Sequence, residues 1–246
     1  MAKLFTLVKI EGKLALRSLD GLIFGIGMPL GILCLVSFIA GNQHVSQGSY
    51  TFLDSSFSSL LAVGICATAF MGIPLTICDY RDKKILKHFC VTPISPLFLL
   101  MAQVVVAMLT ALASALLIVV VGILFLGYQM AGSWLQLIGA YFLVMAAMYS
   151  IGLLIASLCP TLKIANVVCT FVYFPMLFLS GALIPFELFP EPLQKVASVL
   201  PLSQGIKLLK SVTLNETIGN PMAVLLTMCL ITLVCGTLAT KLFRWE

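Results

Sequence analysis

The chain has 246 residues, 61% hydrophobic and 9% charged, with 14 lysines and arginines against 9 aspartates and glutamates and a net charge of +5. A mean hydropathy of +1.15 and apolar runs of the roughly 20 residues that cross a ~30 Å hydrocarbon core exclude a soluble globular domain. They also exclude a β-barrel, since stretches such as Val104–Leu126 lack the alternation a membrane strand needs over about 10 residues.

The predicted architecture is all-α: a polytopic membrane protein whose single transmembrane domain covers 1–246. Residues 1–19 read as an interfacial amphipathic helix, because Leu4, Leu7, Val8, Ile10, Leu14 and Ala15 recur near helical spacing while Lys3, Lys9, Lys13 and Arg17 lie largely opposite. Basic residues followed by an apolar run imitate a signal peptide. The run to Ala40 exceeds a typical h-region of about 7–15 residues, so it reads as retained. The first span, 21–40, carries Gly21, Gly25, Gly27 and Gly31, two small-x-x-x-small pairs that allow close backbone approach between helices. Further spans follow at 55–77, 97–126, 134–158, 164–184 and 220–240, six in all, the third overlong and open to ending near Leu124. Pro29, Pro74 and Pro175 interrupt spans at unrelated positions.

The loops orient the chain. Lys3, Lys9, Lys13 and Arg17 precede span one, and Gly41–Asp54 has no Lys or Arg. The loop 78–96 has four, Gly127–Ser133 none; Lys163 marks the next, and Lys241 and Arg244 follow span six. Basic loops in this phase place both termini in the cytoplasm of a cell membrane. The exception is the outer segment 185–219, with Lys195, Lys207 and Lys210. Trp134, Trp245, Tyr50 and Tyr128 near span ends form an aromatic belt. Asn215-Glu216-Thr217 matches a glycosylation sequon by chance.

Chemistry inside a membrane requires polar groups at depth, and the spans hold essentially no Asp, Glu, Lys, Arg or His. The two histidines, His44 and His88, fall on opposite sides. Five cysteines (Cys34, Cys66, Cys169, Cys229, Cys235) sit inside apolar runs as small hydrophobes; Cys78, Cys90 and Cys159 face the reducing side. With no intramembrane carboxylate and no convincing repeat, proton-coupled transport lacks its relay. No Gly-x-x-x-x-Gly-Lys-[Ser/Thr] phosphate loop is present, so ATP-driven work requires a partner.

Charge concentrates in 78–96. Asp79 precedes, and Arg81, Asp82, Lys83, Lys84 and Lys87 lie on, a short helix predicted over Tyr80–Phe89, stopped by Thr92-Pro93 and Ser95-Pro96. Between spans five and six, Ser180-Gly181, Pro185, Pro190 and Leu200-Pro201 break an apolar stretch. Leu193, Val196, Ala197 and Leu200 share one helical face there, so short helices dipping into the outer leaflet are expected, in a re-entrant hairpin before the last span.

In order, these features resemble a permease of the type-2 ABC transporter family: the six-span layout with its amphipathic N-terminal helix, the charged stretch Arg81–Ser95 ending in Thr-Pro-[hydrophobic]-Ser, and the outer Ser-Gly…Pro…Pro…Leu-Pro series. Family members often carry a glycine after the acidic residue, where this chain has Lys83 and Lys84. The resemblance implies a coupling helix near Arg81–Phe89 and an outer gate at Ser180, Gly181, Pro185, Pro190 and Pro201. It further implies a second permease copy, as homodimer or heterodimer, in a bacterial membrane. A separate ATPase subunit would bind the ATP and Mg, this chain holding no cofactor or metal and contacting lipid but no nucleic acid. The implied activity is export of a drug, antimicrobial peptide or lipid-like molecule. Two readings from other classes stand beside it: a membrane enzyme acting on lipid head groups through Asp79, Arg81, Asp82 and His88, and a non-transporting anchor or sensor.

Overall fold

The computed structural model describes residues 2–17, 23–40, 52–86, 96–128, 130–181, 189–215 and 221–243. Gly21, His44, Lys87, His88, Thr92, Pro93 and Pro185 lie outside them. Among the described residues the protein is helical, without strands. Helix α1 is Ala2–Arg17; a π turn, Ile23–Gly27, leads into α2, Met28–Ala40. Helix α3, Phe52–Ala67, continues through a second π turn, Thr68–Gly72, into α4, Ile73–Asp82. Then come α5 (Pro96–Leu126), α6 (Trp134–Leu158), α7 (Leu162–Leu179), α8 (Glu191–Val199), α9 (Pro201–Thr213) and α10 (Pro221–Leu242).

Among the described residues five helices are long and apolar enough to cross a membrane: Ser56–Asp82, Phe98–Leu126, Trp134–Leu158, Leu162–Leu179 and Met222–Leu242. The described part of the first expected span, Ile23–Phe38, is a shorter apolar helix. The fourth expected span coincides with α6, set off by Ser133 and by Cys159-Pro160, both in extended or loop backbone. Helix α5 runs to Leu126 rather than stopping near Leu124. Helix α7 ends at Leu179, short of 184, because Ser180 closes the last turn and Gly181 adopts φ +80, the left-handed conformation that ends helices. Pro175 does not interrupt α7, which passes through it.

The centre of the bundle is the rod α3–α4. Every residue from Ser56 to Phe70 is buried, against α2, α5, α6, α7 and α9. Small residues make this possible, since with lipid outside, association rests on close packing rather than on the hydrophobic effect. A Cβ added at Gly64 would sit 3.1 Å from Ser114 Oγ, and one at Gly152 only 2.2 Å from the Ala69 carbonyl. Helix α10 packs chiefly along α6, and α9 wedges between α3, α6 and α10.

The two π turns share one cause. Each ends two residues before a proline, Gly27 before Pro29 and Gly72 before Pro74. Proline lacks the N–H that an α-helix would direct to Gly25 or Phe70, and a widened turn absorbs the lost bond. The turns also touch: a Cβ at Gly25 would lie 3.5 Å from Thr68 Cγ2 and 3.2 Å from Thr110 Cγ2. Thr68 Oγ1 shares a hydrogen bond with Tyr149 Oη at 3.0 Å, which joins the second turn to α6. Of the four glycines expected to pack helices, Gly25 does so within the chain. Gly27 is exposed, and Gly31 has open space around its α-carbon.

Candidate functional site: a charged turn at the end of the central rod

Of the helix expected over Tyr80–Phe89, Ile85 and Leu86 are helical beyond a turn at Lys83-Lys84, and 87–89 lie outside the described residues. Tyr80, Arg81 and Asp82 are the last residues of α4, and the rod breaks at Lys83-Lys84. The break is a C-terminal helix motif: Lys83 N–H donates to the Asp79 carbonyl at 2.9 Å and Lys84 N–H to that of Arg81 at 3.0 Å, while Lys84 takes φ +57. Glycine favours that left-handed position; a lysine fills it here.

The consecutive charges, half-buried Arg81 and exposed Asp82, reach opposite ends of the α6–α7 connection. The Arg81 guanidinium donates to the Ala156 carbonyl at 3.1 Å and the Cys159 carbonyl at 2.5 Å, groups that α6 leaves without intrahelical partners at its C-terminus. Its positive charge suits that negative end of the helix dipole. The guanidinium also stands 5.5 Å from the Phe243 ring centroid, tying in the residue that follows α10. Asp82 Oδ2 accepts from the Leu162 N–H at 2.9 Å, at the first residue of α7, where the dipole favours an anion. Thr161 completes the cap by accepting from Ile164 N–H at 3.4 Å. Cys159, between them, has its thiol held above the ordinary range by burial, against a downward pull from Arg81. A protonated thiol is a poor nucleophile and metal ligand.

Of the remaining described charges, the two lysines face outward. Lys83 is exposed and pairs with half-buried Asp79 at 2.7 Å; Lys84 is exposed.

A second cluster at this end had no counterpart in the sequence reading. Glu11 of α1 is only 6% exposed. Its Oε2 accepts from Tyr80 Oη at 2.7 Å and from Gln103 Nε2 at 2.5 Å, joining α1, α4 and α5. Burial pushes the Glu11 carboxyl above its usual range, outweighing the two hydrogen bonds that favour its charged form. Around it Leu7, Leu86, Leu99 and Ala102 form a small core, flanked by Leu4, Val8 and Tyr80. Leu4, Leu7 and Val8 of the expected apolar face therefore dock on protein, while Ile10 and Leu14 stay exposed. The readable signal was an acidic residue at helical spacing between Leu7 and Ala15, inside that apolar face.

At the opposite end the described residues of the expected gate mark helix ends. Ser180 Oγ donates to the Leu177 carbonyl at 3.1 Å, Pro190 caps the start of α8 and Pro201 opens α9. Leu200 between them is extended, as the residue before proline tends to be. A Cβ at Gly205 would lie 2.8 Å from Val144 Cγ1, so α9 is pressed onto α6. Its Thr213 hydroxyl pairs with Ser58 of α3 at 2.5 Å. Among the described residues, no three or more His, Cys, Asp or Glu side chains are arranged to hold a metal ion.

A central apolar rod, helices long enough to span a membrane and a charged turn at one end define a multi-pass membrane protein. The sequence pattern of the ABC-2 type transporter family matches residues 2–214, and the chain belongs to that family. It is similar to three bacterial proteins named nodulation protein J. It is 28% identical to the one from Rhizobium meliloti (strain 1021) over 242 residues, 98% of this chain and 88% of that one. It is 33% identical to the Rhizobium leguminosarum bv. viciae protein over 98 residues, 40% and 38% of the two chains. With the protein from Rhizobium leguminosarum bv. trifolii the identity is 30% over 119 residues, 48% and 45%. The chain thus aligns to less than half the length of two of these relatives and to most of the third.

Proposed function

We propose that this chain is the membrane-spanning permease subunit of an ATP-driven exporter, energised by a separate ATPase subunit that binds the ATP and Mg. The observation that carries the reading is the junction at Asp82. The rod buried against most of the other spanning helices ends in an outward turn bearing Lys83 and Lys84, while Arg81 and Asp82 lock its root to α6 and α7. A pull on that turn acts on the centre of the bundle.

In this reading the segment 78–96 faces the cytoplasm, as do both termini, and Lys87, Thr92 and Pro93 complete the docking surface. Residues Ile23–Phe38 are the core of the first of six spans, and 185–219, with α8 and α9, is an outer re-entrant segment shaping the exit of the pathway. Two permease copies form the pathway, in a cell membrane. The cargo is a drug, antimicrobial peptide or lipid-like molecule, suited to an interior almost without charge. The head-group enzyme reading is disfavoured because Arg81 and Asp82 are engaged with helix ends and Asp79 with Lys83.

The test is capture of a phosphate-loop ATPase from the same host by the tagged full-length chain. Capture that is lost in Lys83→Glu/Lys84→Glu, with the thermal midpoint unchanged, supports the reading. Head-group turnover by the purified chain without any ATPase, abolished by Asp79→Asn, would overturn it.

A further inference from the structure

Helix α1 presents two kinds of surface beyond its docked face. Lys9, Lys13 and Arg17 are exposed and recur every four residues, so they form one row along the helix. Beside the row stand Phe5 and Leu16, 73% and 69% exposed, on one flank, and Ile10 and Leu14, each 50% exposed, on the other. Glu11, the acidic residue of this helix, is turned inward to Tyr80 and Gln103. The outward face is therefore basic and apolar together.

Its level in the molecule is fixed by its docking partners. Helix α1 packs on α5 at Leu99, Ala102 and Gln103, within about two turns of the Pro96 end of that helix. This is where a spanning helix passes from hydrocarbon to head groups. Water alone would leave four large apolar side chains uncovered, and hydrocarbon alone would immerse three cations. An acidic protein surface would satisfy the cations but not the apolar flanks. A layer of anionic phospholipid satisfies both, apolar flanks reaching into the acyl boundary and cations meeting phosphate groups.

We propose that α1 is a binding arm for acidic phospholipid, with Lys9, Lys13 and Arg17 on the head groups and Phe5 and Leu16 inserted, and that the Glu11–Tyr80–Gln103 node passes its engagement to the turn at Lys83-Lys84. This goes beyond the exporter reading and borrows from it only the meaning of the turn. Each exposed cation near an anionic surface strengthens attachment about fivefold. The three together give about a hundredfold preference for acidic over zwitterionic lipid.

The experiment uses the purified full-length chain in phosphatidylcholine nanodiscs, with or without phosphatidylglycerol, read by amide hydrogen exchange. No ATPase is present, so failure to capture one leaves the result standing. Phosphatidylglycerol is expected to slow exchange in α1 and in residues 79–86. Lys9→Gln/Lys13→Gln/Arg17→Gln should abolish both effects. Glu11→Ala, or the milder Tyr80→Phe where the first variant does not fold, should keep the effect in α1 and lose it in 79–86. Equal protection of α1 in the two lipids, or undiminished phosphatidylglycerol protection in the triple variant, would overturn the lipid assignment. A response at 79–86 that survives in both Glu11→Ala and Tyr80→Phe would overturn the role of the node.

Discussion

The Arg81 guanidinium donates to the Cys159 carbonyl at 2.5 Å, while its neighbour Asp82 accepts from Leu162 N–H at 2.9 Å. Two adjacent, oppositely charged residues thus cap the two helix ends of one connection. The charged segment therefore divides by task, and the tasks are separable. Arg81→Lys keeps the charge but loses the planar fork that reaches two carbonyls, at a cost of about 1.5–3 kcal/mol; Asp82→Ala removes a cap worth about 1 kcal/mol. Both should lower the thermal midpoint of the detergent-solubilised protein. Lys83→Glu and Lys84→Glu should leave it near the wild-type value and act only on partner capture. A midpoint drop for the lysine pair as large as for the helix-capping pair would refute the division.

The positions of the five long apolar helices were legible from apolar runs and their boundaries, because in a membrane the length of an apolar run is itself the structural constraint. Trp134–Leu158 was readable since a Gly-Ser step precedes it and Cys159-Pro160 follows. The aim of a charged side chain was not readable. Arg81 and Lys83 look alike in the sequence, and only the placement of α6, some 75 residues away, turns one inward and leaves the other out. Glu11 and Gln103 are 92 residues apart, and no local pattern pairs them. The outer proline series was visible, and its described residues, Pro190 and Pro201, start helices, a role carried by backbone conformation rather than by side-chain chemistry.

Burial raises the Glu11 carboxyl above its ordinary 4.5, which sets a direction for pH. An acid whose folded pKa lies above its unfolded one contributes stability that is fully present below the unfolded value and lost as pH rises through the folded value. The groups meeting it are Tyr80 of α4, with Asp79 acting on that phenol, and Gln103 of α5. Docking of α1 should therefore tighten as pH falls from neutrality toward 4.5. Limited proteolysis at the N-terminus, run across that range with an acid-tolerant protease, should show slower cleavage at lower pH. Glu11→Gln should flatten the profile; an unchanged slope in that variant would assign the effect elsewhere.

Lys84 holds a left-handed conformation, φ +57, that costs a side-chain-bearing residue about 1–2 kcal/mol. Lys84→Gly relieves that strain and gives back part of it through the freer unfolded chain, for a net gain of about 0.5–1 kcal/mol. Lys84→Ile keeps the strain and worsens it. The glycine variant should thus unfold at higher temperature than wild type and still capture less ATPase, since it lacks the outward charge. A lower midpoint would mean that the turn is not left-handed in the membrane.

Gly152 is where α6 meets the central rod, its missing Cβ standing 2.2 Å from the Ala69 carbonyl beside the second π turn. A methyl group there cannot be absorbed by a flexible neighbour, because the obstacle is backbone. Gly152→Ala should cost at least the 1–3 kcal/mol of ordinary overpacking (about that range in buried cores). Gly139, on the same helix, has nothing within 4 Å of its added Cβ, so Gly139→Ala should be neutral or gain up to about 1 kcal/mol from helix propensity. Thermal midpoints of the two variants should therefore move in opposite directions or differ sharply. If both variants behave alike, the contact between α6 and the π turn is looser than the geometry states, and a pull on the Lys83-Lys84 turn would not reach α6 through the rod.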